Sequence, residues 1–378
     1  MKSIYYFTNI APHYREEIWT KLAFNRNWQF NFVFGDSIAK NKIKSFDFER
    51  AGIKNNVVKV RNIFLKKVLV WQVGALSLAI TRRMDVAILL GDMHVVSNWF
   101  IAIICKIRKV KVVYWGHGFS GDESFIKKYL RIAFNSLADK HLLYGNWARD
   151  IMQELNFNPS RLHVVYNSLL YGKQIIFRKT ALEITRTDTM HFFKNPDLSI
   201  ITFIGRITPV KKIDMLLSAI EILNAEEIIF NCLIIGDGSE LISLKSKFLN
   251  KESRAFLHFY GRSYNEKENA KLLTHSDLCV SPGNIGLTAI HAMTYGTPCA
   301  SHDNFTRQGP EFEAIKEGET GFFFKENNVE HLCSSIKNWF EQSGYNREQI
   351  RSKCYAVVDD FYNPDYQLGI FKKVLLQA

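Results

Sequence analysis

Four glycine-marked corners follow one another in the second half of the chain: FIGRITPVKK at 203–212, LIIGDGSE at 233–240, FYGR at 259–262 and SPGNIGLTAIHAMTYGTP at 281–298. The first three follow β-rich runs, and the fourth opens a helical pattern. Corners at the carboxyl ends of parallel strands leave backbone N–H groups open, and a helix that starts there adds a positive pole. Together these features bind nucleotide phosphates. In the fourth corner Gly286-Leu287-Thr288 heads the helical run, so its unpaired N–H groups can receive phosphate oxygens, and glycine permits close approach. In the first half, WGHG sets His117 between two glycines after a strand, where a substrate can come close.

Such corners need sheets to hold them. SIYYFTN (3–9), FNFVFG (30–35), DVAILLG (85–91), KVVYWGHG (111–118), KHLLYG (140–145) and LHVVYNS (162–168) read as strands. Between them HYREEIWTKLAF (13–24), VLVWQVGALSLAITRR (68–83), NWFIAIICKI (98–107), FIKKYLRIAFNSLA (125–138) and NWARDIMQEL (146–155) read as helices, the last with Asn146 as N-cap. This alternation predicts a doubly wound parallel sheet with helices on both faces. Residues 172–197 break the pattern, and Pro196 with its polar neighbours marks an interdomain boundary. A second strand–helix series starts at LSIITFIG (198–205). The final segment 359–377 reads as a terminal helix after a turn at Asn363–Pro364. The expected domains are 1–190, 191–358 and the terminal segment 359–378.

A chain of 378 residues is long enough for two domains, and its 47% hydrophobic and 23% charged composition is that of a soluble globular protein. The N-terminal apolar run is too short for a signal peptide, and the stretches around 68–80 and 99–105 fall short of a membrane span. Six cysteines without a C-x-x-C pair read as buried free thiols in a reducing cytosol. Residues 1–190 hold 29 Lys+Arg against 14 Asp+Glu, and residues 191–378 hold 20 against 23. The basic residues cluster at 40–67, 106–111 and 127–131. No nucleic-acid module accompanies them, so they point to an anionic membrane surface or a lipid-diphosphate acceptor, or form a solvated basic surface. The expected location is the cytoplasm, with a place on the inner face of the membrane.

The ordered set of corners resembles the donor half of family-4 retaining glycosyltransferases of the GT-B architecture, the glycosyl transferases group 1, over roughly residues 198–325. The resemblance implies two Rossmann-like domains facing a cleft, with the last helix packed back on the N-terminal domain. It implies a UDP- or GDP-sugar donor held without a metal or cofactor, and transfer to a glycan or lipid-linked acceptor in bacterial surface polysaccharide assembly. The family pattern G-R-x-x-x-x-K falls on Gly205, Arg206 and Lys211, which makes Arg206 and Lys211 the diphosphate clamp. Lys212 stands where relatives carry glycine, and either adds positive charge or faces solvent. Gly236 and Asp237 lie near the nucleotide in relatives. Gly261 and Arg262 stand where relatives contact the base, although Arg262 could instead reach a phosphate. Glu311 sits near the nucleotide loop, where stabilising a helix start explains it equally well.

Relatives also carry a glutamate, seven residues, then a second glutamate, the first facing the donor sugar and the second holding the ribose. Here those positions are Gly283 and His291. Asn284, or the open backbone, is the candidate for sugar contact, and His291 either contacts the ribose through a ring nitrogen or is a packed helix residue. In the N-terminal half the resemblance puts His117 near donor sugar and acceptor, facing the interdomain cleft. His13 and Arg15, in the corner that replaces a glycine-rich loop, are acceptor-side candidates. Asp92, Tyr144 and Asn167 also end strands, and Asn167 is as readily structural as functional. Two rivals stay open: a non-catalytic sugar-nucleotide or polysaccharide-binding protein, motivated by the loss of both glutamates, and a nucleotide-sugar epimerase on the same architecture.

Overall fold

The computed structural model describes residues 1–35, 45–65, 68–225, 227, 229–342 and 345–376. The chain divides into two compact units, 1–170 with 363–378, and 171–362.

The first unit contains β1 (Lys2–Thr8), α1 (Glu16–Ala23), β2 (Trp28–Gly35), β3 (Val57–Leu65), β4 (Leu69–Val73), α2 (Ala75–Thr81), β5 (Val86–Leu90), α3 (Val96–Ile107), β6 (Lys111–Gly116), α4 (Phe125–Ser136), β7 (Lys140–Leu143), α5 (Asn146–Glu154) and β8 (Leu162–Val164). Its strands run in the order β4-β3-β2-β1-β5-β6-β7-β8, parallel except for the antiparallel β3/β4 pair. Helices cover both faces. Trp19 and Leu22 of α1 pack with Phe30, Phe32 and Trp115 on one, and Ala79, Ile101 and Phe134 pack with Leu89 and Tyr114 on the other.

The run 68–83, expected as one helix, is a strand and then a helix. Leu69–Val73 pair with β3, and Gly74 takes φ +87, a left-handed turn that glycine adopts without a Cβ penalty. Gln72 faces inward on β4 and donates to Thr8 O at 2.9 Å and Asn62 Oδ1 at 3.2 Å, which anchors the hairpin to β1. Asn146 does not cap α5. Gly145 holds that place, and Asn146 Nδ2 donates to the Tyr166 hydroxyl at 2.7 Å.

The second unit opens with α6 (Tyr171–Leu182) and α7 (Arg186–Thr189), in the stretch expected as a break. Three of their side chains explain why the division falls after Leu170 and not near 190. Gln174 bonds Glu266 at 2.8 Å, Arg178 pairs with Asp359 at 2.9 Å, and Arg186 pairs with Asp277 at 2.8 Å. Then come β9 (Ser199–Arg206), α8 (Ile213–Leu223), β10 (Phe230–Asp237), α9 (Leu241–Phe248), β11 (Leu257–Gly261), α10 (Glu266–Thr274), β12 (Leu278–Ser281), α11 (Thr288–Thr294), β13 (Cys299–His302), β14 (Gly321–Phe324), α12 (Val329–Glu341) and α13 (Arg347–Phe361). All pairings in the order β11-β10-β9-β12-β13-β14 are parallel, and Ile200, Phe203, Leu233 and Ile234 are fully or almost fully buried, as sheets covered on both faces require.

After Asn363 the chain rejoins the first unit as α14 (Pro364–Leu376). Phe371, Val374 and Leu375 enter the core beside α1, and Lys21 pairs with Asp365 at 2.8 Å. The expected return of the last helix is therefore found. All six cysteines are buried and unpaired.

Candidate functional site

In the second unit the strand order reverses between β9 and β12, the point at which parallel sheets open a crevice for ligands. The corners after these two strands are stitched together there. Gly283 N donates to Lys211 O at 3.1 Å, the Lys211 ammonium donates to Asn284 O, and Thr288 Oγ1 donates to Ile204 O at 3.1 Å. Arg206 ends β9 exposed to solvent. Burial, and then the Arg206 charge, push the Lys211 ammonium below its ordinary pKa, while Glu311 works the other way. Two cations that disfavour each other at a crevice are relieved by an anion between them.

Backbone packing in this corner is close enough to decide which residues fit. A Cβ on Gly283 would stand 1.9 Å from Val210 O, so this position, where the resemblance leads one to expect a glutamate, has no room for a side chain. Gly283→Glu is therefore expected not to restore the family pattern but to lower stability by about 1–3 kcal/mol through overpacking. Thermal unfolding checks this, and a variant melting at the wild-type temperature would show that the loop yields freely. Lys212 takes φ +50, which accounts for glycine as the usual occupant. Its ammonium donates to Glu326 Oε1 at 3.0 Å and Asn327 Oδ1 at 2.6 Å, so its charge serves an ion pair.

The other nucleotide-side candidates gather around the same corners. Asn284 Nδ2 donates to Arg307 O at 3.1 Å, and a Cβ on Gly286 would lie 3.3 Å from Asn284 Oδ1 and 4.0 Å from Glu311 Oε2. Glu311 is buried beside this loop. The helix begins at Thr288, with Leu287 before it, two residues after Gly286. Gly205 and Gly236 pair across β9 and β10, which brings Asp237 beside the Arg206 end of the sheet. Arg262, just after Gly261, is paired with the Asp237 carboxylate, so its guanidinium already has a protein partner.

His291 also has a partner. Its Nε2 lies 2.9 Å from Glu266 Oε1, the first residue of α10, and the same oxygen accepts from Tyr295 Oη at 2.7 Å and Gln174 Nε2 at 2.8 Å. Burial disfavours the charged ring, but Glu266 outweighs it and raises the His291 pKa. Burial likewise disfavours the carboxylate, but His291 and the three hydrogen bonds hold it down at about 2. Glu266 was missed in the sequence. Its one local signal is Asn265, whose side chain caps α10 by accepting from Lys267 N at 3.1 Å.

The first sheet reverses between β1 and β5, and a cavity of about 380 Å³ opens there. Arg15, Asp92, His117 and Tyr144 line it together with Asn9 and His94. The Arg15 guanidinium stacks 4.5 Å from the Trp115 ring centroid and 5.3 Å from that of Tyr144, and donates to the Tyr6 and Tyr144 hydroxyls. His117 lies on the cavity wall and is exposed to solvent, and the surrounding protein and then the Arg15 charge lower its pKa, so its ring is neutral at pH 7. Asp92 Oδ1 meets His94 Nδ1 at 2.7 Å, a contact the sequence did not announce. His13 is exposed and outside the cavity lining, and Asn167 is buried beyond β8.

Residues 187–355 match the family model Glycosyl transferases group 1. No curated protein matches the chain. In fold the chain is similar to Anabaena Alr3699/HepE in complex with UDP, at 15% identity and TM-score 0.69 over 100% of both chains. It is similar to the apo form of the lipopolysaccharide outer core galactosyltransferase WaaB, at 14% identity and TM-score 0.68 over 100% of both chains. A glycosyltransferase from Rickettsia africae ESF-5 aligns at 15% identity and TM-score 0.71, covering 100% of this chain and 99% of that one. The fold is GT-B, two Rossmann-like α/β units with parallel sheets, as the sequence predicted.

Proposed function

We propose that this chain is a retaining glycosyltransferase of the hexosyltransferase type. It would move a sugar from a UDP- or GDP-sugar to a hydroxyl of a glycan or lipid-linked acceptor in bacterial surface polysaccharide assembly. The observation that carries the reading is the meeting of Arg206 and Lys211 at the sheet reversal of the second unit, inside the matched stretch. UDP accompanies the Anabaena protein, which was also solved with UDP-glucose, and WaaB is a galactosyltransferase; these names support a uridine donor and a polysaccharide setting.

In this reading the bond from the anomeric carbon to the diphosphate oxygen breaks, and the diphosphate gains negative charge. Arg206 and Lys211 stabilise that charge where a metal would do so in other enzymes, so the donor needs no further cofactor. The acceptor hydroxyl oxygen bonds to the anomeric carbon on the face the diphosphate leaves. The hydroxyl proton passes to the departing phosphate oxygen. The products are a glycoside with retained configuration and a nucleoside diphosphate. Incubation with UDP- and GDP-sugars tests this through acceptor-dependent nucleotide release, with the anomer read by NMR. Binding without turnover would favour the binding-protein rival, and release of an epimerised free sugar the epimerase.

The first unit supports a place against an anionic membrane surface on the cytoplasmic side. Phe125, Ile126, Tyr129 and Leu130 of α4 are exposed beside Lys127 and Lys128, and Phe100, Ile103 and Ile107 of α3 are exposed beside Lys106. Neither helix contains an acidic residue, and Trp99 and Phe134 pack 5.0 Å apart to tie the two together. Of the basic cluster at 40–67, Lys40, Lys42, Lys44, Lys66 and Lys67 lie outside the described residues. Among the described residues no helix is long and apolar enough to cross a membrane. Flotation with phosphatidylglycerol-containing vesicles is expected to recover the protein at low salt and to lose it as salt rises, because attraction to the surface is screened. Failure to float at any salt would leave the basic clusters as solvated surface.

A further inference from the structure

We infer that the cavity at the β1/β5 reversal of the first unit binds an oxyanion, a phosphate or carboxylate carried by the acceptor. The word acceptor rests on the transferase reading, whereas the oxyanion site stands on the geometry of the first unit. A guanidinium has five N–H donors in a planar fork that matches either oxyanion. Arg15 donates to the hydroxyls of Tyr6 and Tyr144 and forms no ion pair with a carboxylate among the described residues.

Enclosing a cation without a counter-ion is unfavourable, and an anion arriving at its free donors relieves that cost. The other charges of the cavity are already engaged. Arg131 pairs with Glu123 at 2.9 Å, and Asp92 is bonded to the His94 ring. Arg15 is also held in place: its guanidinium lies over the Trp115 and Tyr144 rings, and it donates to two hydroxyls. A fork aimed before the ligand arrives binds more tightly than one that must be ordered on binding. Neutral His117 beside it offers one donor and one acceptor to a sugar hydroxyl. About 380 Å³ lies within the range of small-molecule sites and suits one sugar ring with its charged group. The anion would come from a sugar phosphate or phosphorylated lipid in the first case, and from a uronic acid in the second.

Isothermal titration of the full chain tests this with glucose 6-phosphate, glucuronate and neutral glucose as probes, and with UDP and GDP titrated separately. The wild type is expected to bind at least one charged probe about tenfold or more tightly than glucose, and the preferred probe identifies the source of the anion. Arg15→Gln should abolish that preference and keep UDP binding, while Arg15→Lys should keep part of it. Arg206→Ala should do the reverse, weakening free UDP, which carries the negative charge the donor gains only on leaving, and keeping the charged probe, which separates this site from phosphate capture in the second unit. No preference in a wild type that binds UDP, or a preference unchanged in Arg15→Gln, overturns the inference and leaves the transferase reading intact. Charged-probe binding without any binding of UDP or GDP would strike the transferase reading alone.

Discussion

Alanine at Arg206 or Lys211 is expected to lower kcat by about 10²–10³, the usual loss when one preorganised group facing developing charge is removed. Arg206 is exposed at the end of β9, so its removal should leave stability nearly unchanged. Lys211 donates to Asn284 O, and its loss frees that carbonyl at a cost of about 1 kcal/mol, small beside the catalytic effect. The two residues should also differ in what replaces them. Arg206→Lys keeps the charge but loses the planar fork, and should fall between wild type and alanine. Because the diphosphate gains charge as it leaves, the loss should appear in kcat more than in donor KM. Initial-rate kinetics on folded variants check this. Wild-type turnover in both alanine variants would remove the clamp, and a pure rise in donor KM would recast it as ground-state binding.

The family pattern G-R-x-x-x-x-K pointed to these two cations, and the strand before it fixes where they stand. A run such as LSIITFIG ends at a fixed point of the sheet, and the next residues must lie at its carboxyl edge. The same logic located His117, Arg15 and Tyr144 near the first reversal, and they do meet in one cavity. Periodicity failed where a short apolar run fits two structures. Residues 68–83 satisfy a helical pattern throughout, yet Gly74 and the inward Gln72 turn their first part into a strand on β3. It failed again over 172–197, because α6 and α7 are fixed by charged side chains whose partners, Glu266, Asp277 and Asp359, lie about 90–180 residues away. That position 283 is a glycine was visible, but the lack of room there was not, because it comes from a Val210 carbonyl which no local pattern predicts.

The Glu266–His291 pair carries the other large effect, and it falls on stability. Three donors from α6 and α11 converge on one carboxylate oxygen at the start of α10. Glu266→Ala leaves the His291 ring, the Tyr295 hydroxyl and the Gln174 amide without that acceptor at once. The expected loss is about 3 kcal/mol, as for removing one partner of a largely buried charge pair. His291→Ala should cost less, because Tyr295 and Gln174 still hold the carboxylate. His291→Glu, the residue that the resemblance leads one to expect there, would set two carboxylates against each other. It should be worse than alanine at pH 7 and recover as pH falls and one of them protonates.

The wild-type dependence on pH has a definite sign. His291 titrates above its ordinary value, so its contribution is complete below about 6.5 and is lost as pH rises through the raised pKa. Glu266 titrates near 2, so its contribution is complete above about 4.5 and is lost as pH falls toward 2. The stability gap between wild type and His291→Gln should therefore be widest between these limits and narrow on either side. Urea unfolding at a series of pH values measures that gap. A gap that stays constant from pH 4 to 9 would mean that the pair is not charged in the folded protein, and that the contact is a neutral hydrogen bond between α10 and α11.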